Sequence, residues 1–154
     1  MQTNAPAATA STAPGDDAIS RTLIQAVYRS RCLTDVAGEL AILESSRRNN
    51  PSHNITGVLV SHGGWFMQVL EGPVLTVNNL MAKIRTDSRN GDFLLLRANS
   101  ISKRDFGEWS MASTQVDADQ FMHLLDSLMY GTGSAIHMLQ DFIVDGRWRG
   151  TPGG

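Results

Sequence analysis

The stretch Trp65–Gly72, WFMQVLEG, decides how the rest of the chain is read. Side chains alternate faces along a strand, so Phe66, Gln68 and Leu70 share one side and Trp65, Met67 and Val69 the other. Gln68 therefore stands between two large apolar neighbours. Its amide carries two donors and two acceptor lone pairs, and leaving such a group unpaired in an apolar setting costs about 1–3 kcal/mol. Within the chain, Tyr28 and the pair Asn49-Asn50 are candidates to meet it. A bound heterocycle with donors and acceptors of its own would serve equally well.

Immediately before this stretch lies Asn54–Gly64, NITGVLVSHGG, a second strand that ends in the hairpin signal Gly63-Gly64, so the two runs pair antiparallel. After it, Pro73 opens a helix in which Val77, Leu80, Met81 and Ile84 follow the i, i+3, i+4, i+7 pattern. That helix closes in the polar cluster Asp87-Ser88-Arg89-Asn90-Gly91. Towards the N-terminus, Arg21–Ser30 (RTLIQAVYRS) reads as the first strand, with Ile24, Ala26 and Tyr28 on one face and Leu23, Gln25 and Val27 on the other. Asp35 is a fitting N-cap for a helix whose apolar positions are Val36, Leu40 and Leu43. Pro51 disfavours an α conformation at Asn50 and ends that helix near Asn49, with Arg47 and Arg48 at the negative end of its dipole. On that reading alone, Asn49-Asn50 is a helix terminator.

Asp92–Ile101 (DFLLLRANSI) is an apolar strand. Glu108–Val116 (EWSMASTQV) is another, on which Trp109, Met111 and Ser113 share a face. The order strand, helix, strand, strand, helix, strand, strand belongs to the α+β class. It predicts a ferredoxin-like βαββαββ core, one five-stranded sheet with two helices on one face. Two more helices follow. Asp117-x-x-Gln120 forms a capping box ahead of the stripe Phe121, Leu124, Leu125 and Leu128; GTGS (Gly131–Ser134) breaks the chain before the stripe Ile136, Leu139 and Ile143. This pair, residues 117–146, covers the open face of the sheet and is the expected output or oligomerisation surface. Residues 1–20, rich in Ala, Thr, Ser and Pro, read as a disordered leader, 21–116 as the folded core and 147–154 as a flexible tail.

Composition narrows the function classes. Thirteen basic against fifteen acidic residues, net −2, offer no electrostatic case for nucleic acid or an anionic membrane. Cys32, the single cysteine, cannot form an intramolecular disulfide, and neither a Cys/His metal spacing nor a run of roughly 18 apolar residues occurs. The N-terminus lacks the basic and apolar regions of a secretory signal, so a cytoplasmic location is expected. Gly-x-Gly-x-x-Gly and Walker spacings are absent. His53, His62, His123 and His137 are scattered, and no Ser/His/Asp or Cys/His arrangement suggests a hydrolase, so the chain is read as a non-enzyme.

SSRRNNPSHNITGVLVSHGGWFMQVLEGP, followed by RDFGEWSM, resembles the BLUF domain, the blue-light receptor module that uses flavin. The resemblance covers about Thr22 to Val116 and rests on NITG, QVLEG and DFxxWSM together. It implies an isoalloxazine ring held between the two core helices, with FAD as the cofactor and FMN or riboflavin as substitutes. Asn50 matches the residue that bonds the polar edge of the ring, Asn49 a neighbouring flavin contact, and Ile84 an apolar residue against the ring. Asp87 and Arg89 match contacts to the ribityl and phosphate portion; Asn90 stands where many members have His. Gln68 matches the glutamine between ring and tyrosine, Tyr28 that tyrosine, and Trp109 and Met111 the strand whose movement reports the light state.

The implied chemistry is light-driven electron and proton transfer between Tyr28 and flavin through Gln68, which ends rearranged. Flavin's pyrimidine edge alternates donors and acceptors, and an amide can use both of its halves there where a carboxylate could only accept. The segment between Tyr28 and the first helix is a residue or two shorter than usual. Trp65 is read as a sheet-surface aromatic or an additional electron donor. The resemblance also implies a homo-oligomer acting on a separate signalling or regulatory protein. The alternative is a flavin-free ferredoxin-like interaction module in which Gln68 and Tyr28 bond each other.

Overall fold

Two glycines with positive φ, 55° at Gly63 and 83° at Gly64, close the turn between β2 (Thr56–His62) and β3 (Trp65–Pro73), as a two-residue hairpin requires. A computed structural model describes residues 22–107, 109–130, 136, 137, 139 and 140. Residues 1–20, the Gly131–Ser134 break, Ile143 and residues 147–154 lie outside them. The remaining elements are β1 (Leu23–Cys32), α1 (Val36–Asn49), a 3-10 turn (Pro51–His53), α2 (Val74–Thr86), β4 (Asn90–Ile101), β5 (Ala112–Gln115) and α3 (Ala118–Met129). The described strands form one five-stranded sheet in the order β4-β1-β3-β2-β5, with β5 parallel to β2 and the other pairs antiparallel. This is the expected α+β, ferredoxin-like arrangement.

The alternation read in β3 separates two cores. On one face, Ile24, Ala26, Tyr28, Leu59, Phe66 and Leu70 pack under Leu43 of α1 and Val77 and Met81 of α2. On the other, Val27, Val58, Val60, Met67 and Val69 lie under Phe121, Leu124 and Leu128 of α3, joined by Ile136 and Leu139. The capping box at Asp117 and Gln120 starts α3 as its sequence predicts.

Three local expectations are corrected. Val36 and Leu40 do not face the sheet: they are 74% and 55% exposed, because α1 packs through its C-terminal half, where Leu43 is buried. Asn50 is α-helical (φ −59°, ψ −42°) despite the following proline, since its N–H bonds Ser46 O at 2.8 Å and its carbonyl accepts from both His53 N and Ile55 N. The helix still ends at Asn49 with Asn50 as its C-cap, as expected, and Asn54, at φ 59°, ends the 3-10 turn that follows. β5 is four residues long, so Trp109 and Met111 precede it and turn to opposite cores, Trp109 towards α3 and Met111 towards the two core helices. β4 occupies an edge of the sheet and leaves Leu94 and Leu95 exposed.

Candidate functional site

A cavity of about 240 Å³ opens between α1, α2 and the sheet. Strand alternation brings Tyr28, Leu59, Phe66 and Gln68 to its floor, and Met111 closes one side. Along α1, Ile42, Leu43, Ser45, Ser46, Asn49 and Asn50 recur at helical spacing, so one face of the helix forms one wall. Leu80, Lys83 and Ile84 of α2 form the facing wall, and Asp87, Arg89 and Asn90 follow where that helix ends.

Tyr28 and Gln68 are direct cross-strand partners, and Leu59 pairs Gln68 from the other side. Tyr28 is almost fully buried and stacks on Phe93, with ring centroids 4.7 Å apart. Burial raises its phenol well above the ordinary tyrosine range, so it stays protonated. Gln68 is 7% exposed, and its Nε2 donates to Met111 Sδ at 3.3 Å, a weak acceptor. Asn50 is buried at the end of α1, and its Nδ2 donates to Ser110 O at 2.6 Å. Beside it, Arg47 Nε donates to Met111 O at 2.9 Å, and Nη2 reaches Ser113 Oγ at 3.4 Å. Desolvation lowers this guanidinium, opposed by the nearby Glu44.

At the mouth, Arg89 grips Asp87, with Nη2 to Oδ2 at 2.7 Å and the Arg89 backbone N–H to Oδ1 at 2.9 Å. These bonds hold the Asp87 carboxyl below, and the Arg89 guanidinium above, their usual ranges.

The opposite sheet face carries a different polar cluster. Glu71 is fully buried, and its oxygens accept from Gln25 Nε2 at 2.7 Å, Asp105 N at 2.9 Å and Phe106 N at 2.8 Å. Arg104 pins the same loop to Thr56 Oγ1, Asn54 O, Asn54 Oδ1 and Glu71 O. Gln140 Nε2 reaches Asp105 O at 2.9 Å, which ties the chain beyond α3 to that loop.

The cavity thus gathers Tyr28, Asn49, Asn50, Gln68, Ile84, Asp87, Arg89, Asn90 and Met111; Trp109 is not in its lining. The indole Nε1 of Trp109 is buried on the α3 side without a partner among the described residues. Sequence reasoning missed Ser45, Ser46, Lys83 and Phe66. Continuing the helical register back from Asn49 and forward from Leu80 would have found the first three, and the alternation around Gln68 the last. Among the described residues no group of three His, Cys, Asp or Glu could hold a metal ion, and no helix is long and apolar enough to cross a membrane.

The family model for sensors of blue-light using FAD matches residues 23–112. The photoactivated adenylate cyclase subunit beta of Euglena longa is 38% identical over 74 residues, which are 47% of this chain and 9% of that protein. The chain therefore spans only a small part of the curated relatives it matches. Among solved structures, BlrB, a BLUF protein in its dark state, is 30% identical with a TM-score of 0.65, covering 82% of this chain and 98% of that one. BlrP1 of Klebsiella pneumoniae with FMN and cyclic diGMP is 26% identical with a TM-score of 0.57, covering 80% of this chain and 35% of its own.

Proposed function

The chain belongs to the BLUF family of blue-light sensors that use FAD, and we propose that it holds its flavin non-covalently in the cavity between α1, α2 and the sheet. The observation that supports this most is the shared wall: Tyr28 and Gln68, cross-strand partners, line one cavity with Asn50 and Met111. The residues present fit a flavin. The Gln68 amide meets only a thioether among the described residues, and the Asn50 amide spends one N–H on Ser110 O, so both keep donor and acceptor capacity at the cavity wall. Leu43, Leu80 and Ile84 give that wall apolar surface for an aromatic ring.

In this reading Asn50 and Asn49 hold the polar edge of the ring and Ile84 packs against it. Asp87, Arg89 and Asn90 meet the ribityl and phosphate portion of FAD, FMN or riboflavin. When bound, the flavin would supply absorption of blue light and an excited state able to accept an electron. Tyr28 would be the donor of that electron and of a proton passed through Gln68, and would recover both. Gln68 ends with its amide rotated, tautomerised or both, and the contact with Met111 Sδ changes with it. Met111 leads directly into β5, so the rearrangement reaches the edge of the sheet. The chain turns over no substrate; its product is a metastable conformation that alters contacts with a separate signalling or regulatory protein in the cytoplasm, with the chain acting as a homo-oligomer.

The test is direct. Full-length protein purifies yellow, or takes up added FAD, and its flavin absorption shifts reversibly to the red under blue light. A colourless protein that refuses added flavin rejects the reading in favour of a flavin-free interaction module.

A further inference from the structure

Three successive carbonyls ahead of β5 are each held by a different donor. Gly57 N–H takes Trp109 O at 3.2 Å, the Asn50 side chain takes Ser110 O at 2.6 Å, and Arg47 Nε takes Met111 O at 2.9 Å. The segment's own side chains are less well served: among the described residues, Trp109 Nε1 and Ser110 Oγ are buried without hydrogen-bond partners. The course of residues 109–111 is therefore fixed through their backbone. Two of the three grips come from Arg47 of α1, the helix that walls the cavity, and from Asn50, which caps it.

Arg47 stands apart in this set. It is absent from the cavity lining, although Ser46, Asn49 and Asn50 around it are present. Its guanidinium reaches past the cavity to the last carbonyl before β5 and, at 3.4 Å, to Ser113 Oγ within that strand. A planar guanidinium presents several donors in a fixed fork, so one side chain can pin two points two residues apart. β5 needs such a hold. It pairs with β2 over only four register positions, Ala112 to Gln115, at an edge of the sheet.

We infer that Arg47 is a positioning residue that holds the start of β5 in its resting register, separately from the Gln68–Met111 contact, and so sets how far and how long the strand departs when that contact changes. The inference rests on the proposed light reaction for its consequence; the hold itself is read from the structure alone. Two links run from the cavity region to Met111: Gln68 to the thioether, Arg47 to the carbonyl. Rearranging the Gln68 amide disturbs the first and leaves the second to resist.

The experiment is amide hydrogen exchange of full-length, flavin-loaded protein in darkness and under blue light, comparing wild type, Arg47→Ala, Arg47→Lys and Ser113→Ala, with the red shift recorded on each sample. Arg47→Ala should keep the full red shift. Its β5 amides, Ala112 to Gln115, should exchange in darkness about tenfold faster than in wild type, close to the illuminated wild-type rate, and the lit state should return to the dark state several-fold more slowly. Arg47→Lys, which can still meet one carbonyl, should restore most of the dark protection, and Ser113→Ala should lose a smaller part of it.

Unchanged dark protection of β5 in Arg47→Ala overturns the inference, as does a loss of protection spread evenly over the whole sheet, which marks general destabilisation. A weakened red shift in Arg47→Ala also overturns it, by placing Arg47 in the photochemistry. Should wild type show no red shift, the proposed light reaction fails, while the dark comparison still decides whether Arg47 holds β5.

Discussion

Gln68 and Glu71 are buried polar residues three positions apart on β3, and they face opposite sides of the sheet. Glu71 is saturated, with three donors converging on its two oxygens from a neighbouring strand and a loop. Among the described residues, Gln68 has one weak acceptor for its N–H, and a cavity lies beside it. A buried polar group that the fold satisfies completely has a structural task, whereas one left half-satisfied beside open space has capacity for a ligand. The same contrast separates the two cores: α3 and Glu71's loop close one face, and α1 and α2 leave room on the other.

The contrast predicts unequal mutational effects. Glu71→Leu should have the largest effect on folding, because it strands Asp105 N and Phe106 N and removes one acceptor from Gln25. The expected loss is about 3 kcal/mol or more, read from urea unfolding. Gln68→Leu should change stability by less than about 1.5 kcal/mol, since an apolar side chain of similar size replaces an amide with one weak bond. Equal losses at the two positions would erase the distinction drawn between them.

Protonation sharpens it further. Burial raises the Glu71 carboxyl above its usual 4.5, so the folded chain holds this proton to higher pH than the unfolded chain does. Glu71's contribution to stability is accordingly complete below about 4.5, falls as pH rises through the raised folded value and is level above it. Urea midpoints compared from about pH 4 to about pH 8 should show this falling component in wild type and its loss in Glu71→Gln, despite that variant's lower overall stability. Asp87 has the opposite sign. Arg89 depresses its carboxyl, so its contribution is present above the usual 3.8 and is lost as pH falls through the folded value. Being a partly exposed pair, it should have the smallest effect, with Arg89→Ala costing no more than about 1 kcal/mol in the same unfolding measurement.

Much of this was legible in the sequence, for identifiable reasons. Alternation in WFMQVLEG assigns Gln68 to a face, Gly63-Gly64 fixes the hairpin and hence its register, and the capping box locates α3; all three are local rules that the fold obeys. The failures have a common origin in tertiary geometry. Val36 and Leu40 have the spacing of a buried stripe, but spacing does not reveal that only the far half of α1 reaches the sheet. Trp109 and Met111 share a strand face on paper and part company because the chain is irregular until Ala112. Glu71 went unnoticed because its three donors come from a partner strand and a loop that no periodicity connects. Arg47 looked like a dipole complement at a helix end, and its reach to Met111 O spans 64 residues of sequence.

The central claim is that light acts by changing what the Gln68 amide bonds to. It is tested most directly by the blue-light-minus-dark absorption difference of flavin-loaded wild type beside Gln68→Leu. The account predicts a reversible red shift in wild type, and in Gln68→Leu a bound flavin whose spectrum stays put. A red shift of ordinary size in the leucine variant would contradict it.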